Sequence, residues 1–379
     1  MQKLIPLAVA MLLLQHHEDA GRLGVVRFAN SCGGAVQAPF ARGVALLHSF
    51  EFGQAIDAFK SVNDTDPSCA IASWGIALAQ WGNPFSTSLR PAPQLEAGRS
   101  TARRAAAAGA KTSRERDYIG AVAALYERFE TVDQRARIVA YRDAMDRVAS
   151  RYPEDPEAAT FYALALAAAA DPGDKTYADQ LKAGAILEKL WAAQPEHPGL
   201  AHYIIHTYDV PALAPRGLDA ARRYAKIAPD APHALHMPSH TFTRLGYWQD
   251  SIDTNTLSAS AAQRAGNTYE ELHATDYSVY AYLQTGQDAA AKRLVDSVAG
   301  IMAGAGKNAS ASAAPPTAGA YAVAAIPARY ALERGAWAEA EMLDVHRGPF
   351  AFTEAISWFA RAIGAARNGD VAVAKTAAD

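Results

Sequence analysis

Along most of the chain, apolar residues return every three or four positions, which is the period of an amphipathic helix. Nowhere do they alternate with polar ones over a stretch long enough to make a strand. The helical segments come in couples. Residues 40–48 make a first helix, with Gly43 and Leu46 at close-packing and bulky positions, and a second follows with Ala55, Phe59 and Val62 ahead of Pro67. The second-helix pattern returns as Ala183, Leu187, Leu190 and Pro195, and again as Ala220, Tyr224, Ile227 and Pro232. Gly246-Tyr247-Trp248, Gly286-Gln287 and Gly335-Ala336-Trp337 mark tight turns between partner helices, where glycine permits the reversal.

These offsets match the tetratricopeptide repeat, a helix pair of 34 residues that buries its apolar face only by stacking on its neighbours. The expected fold is therefore all-α: a right-handed superhelical solenoid of antiparallel helix pairs over residues 21–379, with no boundary that isolates a second core. Irregular insertions are expected near residues 82–93 and 303–319, the latter rich in Ala, Ser, Gly and Pro. A length of 379 residues suits a fold that grows by repetition.

Net charge is -3 and no run of one sign occurs, which excludes the basic stripe of a nucleic-acid binder. Lys3 followed by the apolar residues 4–14 reads as a secretory signal peptide ending near residue 20, too short to span a bilayer. The expected location is periplasmic or extracellular, with no membrane span. In such a compartment the two cysteines, Cys32 and Cys69, are expected to form a disulfide. The last helix looks short, so the natural chain is expected either to be capped at Asp379 or to continue beyond it.

The chemistry lies in the histidines. Tyr208, Phe242 and Tyr282 fill the bulky position of three successive first helices. Six residues before them stand His202, His236 and Asp276, and two residues before them His206, His240 and Tyr280. His202 to His236 is one full repeat, and so is His206 to His240. Offsets of three, four and seven keep side chains on one helix face, and imidazoles on neighbouring helices can converge. The best ligand set is His202, His206, His236 and His240, with His233, His273 and Asp276 as further ligands or supporting partners. Nitrogen and carboxylate ligands without thiolate suit a transition metal: copper, zinc, iron or nickel. Pro238 interrupts the middle helix, with Ser239 expected to satisfy the freed backbone. Tyr280, Arg244 and His48 are candidate groove residues, with Arg244 also read as half of a structural ion pair. His197 reads as a cap or surface residue, His346 as a loop residue, and His16 and His17 as lying near the mature N-terminus. No phosphate loop, serine nucleophile elbow or zinc-protease motif is present.

The runs His202-Tyr203-Ile204-Ile205-His206, Tyr208-Asp209, Ala228-Pro229 and His233-Ala234-Leu235-His236-Met237-Pro238-Ser239-His240 resemble a group of bacterial exported tetratricopeptide-repeat proteins. Leu47-His48-Ser49-Phe50 and Ala72-Ser73-Trp74-Gly75 resemble the same group's first pairs. The resemblance spans most of residues 25–300. It implies the solenoid and a concave face, lined by first helices, that takes peptides; it implies no reaction. Three functions stay open. The chain is a metal-dependent enzyme of the cell envelope, with Glu270 or Glu271 as a base unless both sit in an exposed inserted loop. Alternatively it is a scaffold for a small molecule or extended peptide in the groove, or a metal carrier or sensor.

Overall fold

The computed structural model describes residues 22–304, 313–345 and 347–379. The expected signal segment, His16, His17 and His346 lie outside them. Among the described residues the chain is all-helical, with no strands. Its helices alternate between an inner and an outer layer. The first five inner helices are Gln37–His48, Ala70–Trp81, Ser113–Ala123, Pro156–Ala169 and Pro198–Thr207. The sixth is split into Pro232–His236 and Pro238–Leu245, and Thr268–Gln284, Pro316–Glu333 and Ala351–Asn368 follow. Each is paired with the helix after it, and most consecutive inner helices pack on one another.

Local sequence sets the helix starts. Pro156, Pro198, Pro232 and Pro316 each occupy the first position, where a missing N–H costs nothing. Asp155 and Asn267 cap their helices through side-chain oxygens. Glycine governs the pair packing. A Cβ on Gly43 or Gly75 would meet the Phe59 ring at 2.8 or 2.4 Å, so the two inner helices close on that ring only because both positions are bare.

The superhelix turns tightly enough for the first inner helix, Gln37–His48, to touch the fifth, Pro198–Thr207. The N-terminal segment ties across this seam, with the Val25 N–H donating to the Glu196 carbonyl at 2.9 Å. One core consequently runs from Leu23 to Phe242. Cys32 and Cys69 are joined in a disulfide, Cα–Cα 4.9 Å, that pins this segment to the second pair.

The irregular stretch after Trp81 runs to Ala92 and is organised by one side chain. The Arg90 guanidinium donates to the carbonyls of Trp81, Asn83, Ser86 and Ser88. The later interruption is shorter than the composition suggests, because the helix already resumes at Pro316. Its described part docks on the earlier stretch, with Asn83 donating to the Ala313 carbonyl and Ser88 bonded to Thr317. No helix among the described residues is long and apolar enough to cross a membrane.

Candidate metal centre

The histidine ladder folds into two triads. His202 and His206, one turn apart on the fifth inner helix, meet His233; His236 and His240 of the sixth meet His273 of the seventh. Within each triad the ligand nitrogens lie within 4.8 Å of one another. That is a spread one ion can close, since metal–nitrogen bonds run at about 2.0–2.1 Å. The triads are neighbours. His206 faces His240, and His233 faces His236, with ring centroids 6.0 Å apart in both cases. Within the triads the same spacing runs from 4.4 to 6.1 Å.

The break at Pro238 sets up this arrangement. Proline cannot donate, and the freed ends are satisfied from the outer helix Trp248–Arg264. The Thr254 hydroxyl donates to the Leu235 carbonyl at 2.7 Å and the Ser258 hydroxyl to that of Pro232 at 2.9 Å. Ser239, expected in that role, instead points its hydroxyl at His236 Nδ1 from 3.5 Å.

Hydrogen bonds fix the tautomers. His202 Nδ1 donates to the His48 carbonyl at 2.6 Å, and His233 Nδ1 to the Glu270 carboxylate at 3.0 Å. His240 Nδ1 donates to Asp209 at 2.8 Å. The Asn255 amide donates to the Ser251 carbonyl, which turns its oxygen toward His236 Nδ1 at 2.7 Å. Each of these four rings therefore carries its proton on Nδ1 and presents a bare Nε2.

The bare nitrogens have no protein partner suited to them. In the first triad, Nε2 of His202, His206 and His233 is buried without any hydrogen bond. Each such group costs roughly 1–3 kcal/mol. In the second, the Nε2 atoms of His236 and His240 stand 3.0 Å apart. With both protons already on Nδ1, two lone pairs face each other, and only a cation between them removes the repulsion. Burial, reinforced by the neighbouring imidazoles, holds His202, His206 and His236 well below the ordinary histidine value. Burial likewise lowers His273 to about 4. These four rings are neutral at neutral pH.

Aromatic groups seal the first triad. Phe50 touches all three of its rings, at 4.4, 5.5 and 5.7 Å. Its φ of 57° is a conformation that costs a bulky residue of order 1–3 kcal/mol. Phe85, carried by the stretch that Arg90 organises, stacks on His206 at 4.4 Å. Ala314 closes the far side, its N–H donating to Glu270 at 3.1 Å. The second triad is open. His240 and His273 border a cleft of about 590 Å³ that Tyr277, Tyr280, Arg244 and Arg329 also line.

Several expectations need correction. Asp276 joins neither triad: it keeps the helical register, but Arg329 of the next inner helix takes its carboxylate. His48 is not a groove residue. It is fully buried between Glu157, at 2.9 Å, and Tyr203, at 2.9 Å, because the first and fifth inner helices meet over it. His197 does cap its helix, accepting from the Leu200 N–H, yet it is buried and donates to Glu157. Glu270 sits in no exposed loop; it is buried in the first turn of Thr268–Gln284. Arg244 pairs with Asp209 at 2.9 Å, and Tyr280 lines the cleft. Asp209 was within reach of sequence reasoning, since it closes the Tyr208-Asp209 motif. Phe50, Phe85 and Asn255 carried no such signal.

No family model and no curated protein matches this sequence. Among solved structures, the human IFIT1 dimer with PPP-AAAA is similar at 12% identity and a TM-score of 0.40, covering 90% of this chain and 71% of that one. The TPR domain of P58(IPK) is similar at 11% identity and a TM-score of 0.21, covering 91% and 98%. Neither likeness bears on function.

Proposed function

We propose that this chain is a metal-binding helical-repeat protein whose two histidine triads hold a pair of transition-metal ions, three imidazoles to each. The observation that carries the reading is the set of bare Nε2 atoms, three of them buried without partners and two more opposed at 3.0 Å. Rings whose Nδ1 protons are anchored on carbonyl, carboxylate or amide oxygens already aim Nε2 as a ligand. No free thiol competes, because the only two cysteines are bonded to each other. That disulfide also supports an oxidising compartment outside the cytosol. The peptide-groove reading is weaker, since contact between the first and fifth inner helices fills the leading part of the inner face.

The test is elemental analysis of untagged protein loaded with copper(I) or, separately, zinc and passed through a desalting column, with circular dichroism as the check on folding. The expected result is two equivalents in the wild type. One equivalent is expected in a His202→Ala/His206→Ala variant and one in a His236→Ala/His240→Ala variant. Trace metal in all three proteins would end the proposal.

A further inference from the structure

We propose that the metal pair is copper(I) and that dioxygen binds between the two ions. The inference rests on the two-ion reading above and adds the identity of the ions and of their small-molecule ligand.

Charge comes first. Neither triad contains a carboxylate. The acids Asp209 and Glu270 are hydrogen-bonded to Nδ1 atoms, across the ring from the ligating Nε2. The remaining acid beside the first triad is Glu51, which accepts the His233 N–H. Two divalent ions would put four positive charges among six imidazoles, and burying uncompensated charge is expensive. Two copper(I) ions bring only two charges, and with Asp209 already paired to Arg244 the nearby carboxylates offset two far better than four. Copper(I) is also satisfied by three imidazoles, whereas structural zinc sites take four protein ligands and neither triad offers a fourth.

Geometry comes second. The facing rings of the two triads are no farther apart than rings within a triad, so ions held by them would be immediate neighbours. One triad is closed by Phe50 and Phe85, and the other is reached through the cleft beside His240 and His273. A diatomic molecule entering there meets both ions. The electron count balances without any further reagent. Each copper(I) gives one electron and becomes copper(II), and dioxygen takes the two and becomes peroxide bridging the pair. Its O–O bond is retained and no proton moves, so removing the gas reverses the step.

The experiment uses the full chain loaded anaerobically with copper(I) and then exposed to dioxygen. The expected result is uptake of one dioxygen per two coppers. An intense near-ultraviolet charge-transfer band should appear, with no paramagnetic resonance signal because the bridged copper(II) spins couple. All of it should reverse under argon. A His273→Ala variant, folded by circular dichroism, should keep one copper in the first triad and lose the band and the uptake. Two bound coppers that give no band, or two separate paramagnetic copper(II) signals, would overturn the oxygen proposal and leave metal binding standing. Fewer than two coppers in the wild type would overturn the copper proposal, and the two-ion reading falls with it only if zinc loading also gives fewer than two equivalents.

Discussion

Two kinds of buried histidine cluster lie side by side in this fold and treat the same ring in opposite ways. Around Glu157, His48 and His197 both donate Nε2–H to the carboxylate, while the Tyr203 hydroxyl and the Leu200 N–H serve their Nδ1 atoms. Every ring nitrogen there is used. In the triads the Nδ1 atoms of four rings are just as firmly held, but the Nε2 atoms aim at one another. All three groups are compact enough to surround an ion. Proximity of histidines therefore does not separate a structural cluster from a ligating one. The separating feature is a carboxylate at the centre, which Glu157 supplies in the first case and no residue supplies in the others. The Glu157 cluster still serves the triads, because the His48 carbonyl that orients His202 is fixed by the same network.

The sharpest way to break this contrast is Glu157→Ala. It strands two buried N–H donors and removes a carboxylate that burial would raise but that His48 and His197 hold well below its ordinary value. The expected cost is about 3–5 kcal/mol of stability, read from urea unfolding of the metal-free protein. His206→Ala removes a ring whose Nε2 had no partner. It should cost clearly less stability while eliminating one metal equivalent. Equal losses from both variants would mean that the two clusters are of one kind.

Acid is the next lever. Burial lowers His48, His202, His206, His236 and His273 from 6.5 in the unfolded chain. Below about pH 6.5 the unfolded chain thus binds protons that the folded chain refuses, and stability falls as pH falls. Glu51, Glu271 and Asp276 act in the opposite sense. Burial raises their carboxyls, so their contribution is full in acid and is lost as pH rises. The histidines lowered by burial outnumber the carboxyls raised by it, so the metal-free protein is expected to lose stability from pH 6.5 to 5.5. The melting temperature should drop over that interval. A flat profile would show that the rings are not held neutral.

Much of this was legible in the chain. The repeat of His202 at His236 and of His206 at His240 follows from helix register, which is a local property. The partition into triads was not. The sequence groups those four as one set, whereas the fold gives His233 to the first couple and His273 to the second. The cause is the break at Pro238 together with the superhelical turn between inner helices, and neither shows in a periodicity. Phe85 and Phe50 were invisible for a related reason. One arrives on an irregular connection held by Arg90, the other through a left-handed turn, and both positions are set by tertiary packing. Asp276 misled because register places a side chain on a face but does not show that Arg329 waits opposite.

The subtlest prediction concerns a residue that touches no ion. Asn255 accepts from His236 Nδ1, and its own amide is committed to Ser251, so it dictates which nitrogen of His236 is bare. Asn255→Leu keeps the side chain's approximate size and removes that instruction. His236 is then free to carry its proton on Nε2 and donate it to His240, turning a repulsive pair into an ordinary hydrogen bond. The second triad gains a stable metal-free state, and its ion must displace a proton to bind. The affinity of that site should weaken by about 10–100-fold, the usual effect of losing such a supporting partner, while the first triad keeps its own. Competition with a chelator, followed by elemental analysis, resolves the two sites. If Asn255→Leu leaves both affinities unchanged, the opposed lone pairs are not what drives the second triad to take an ion.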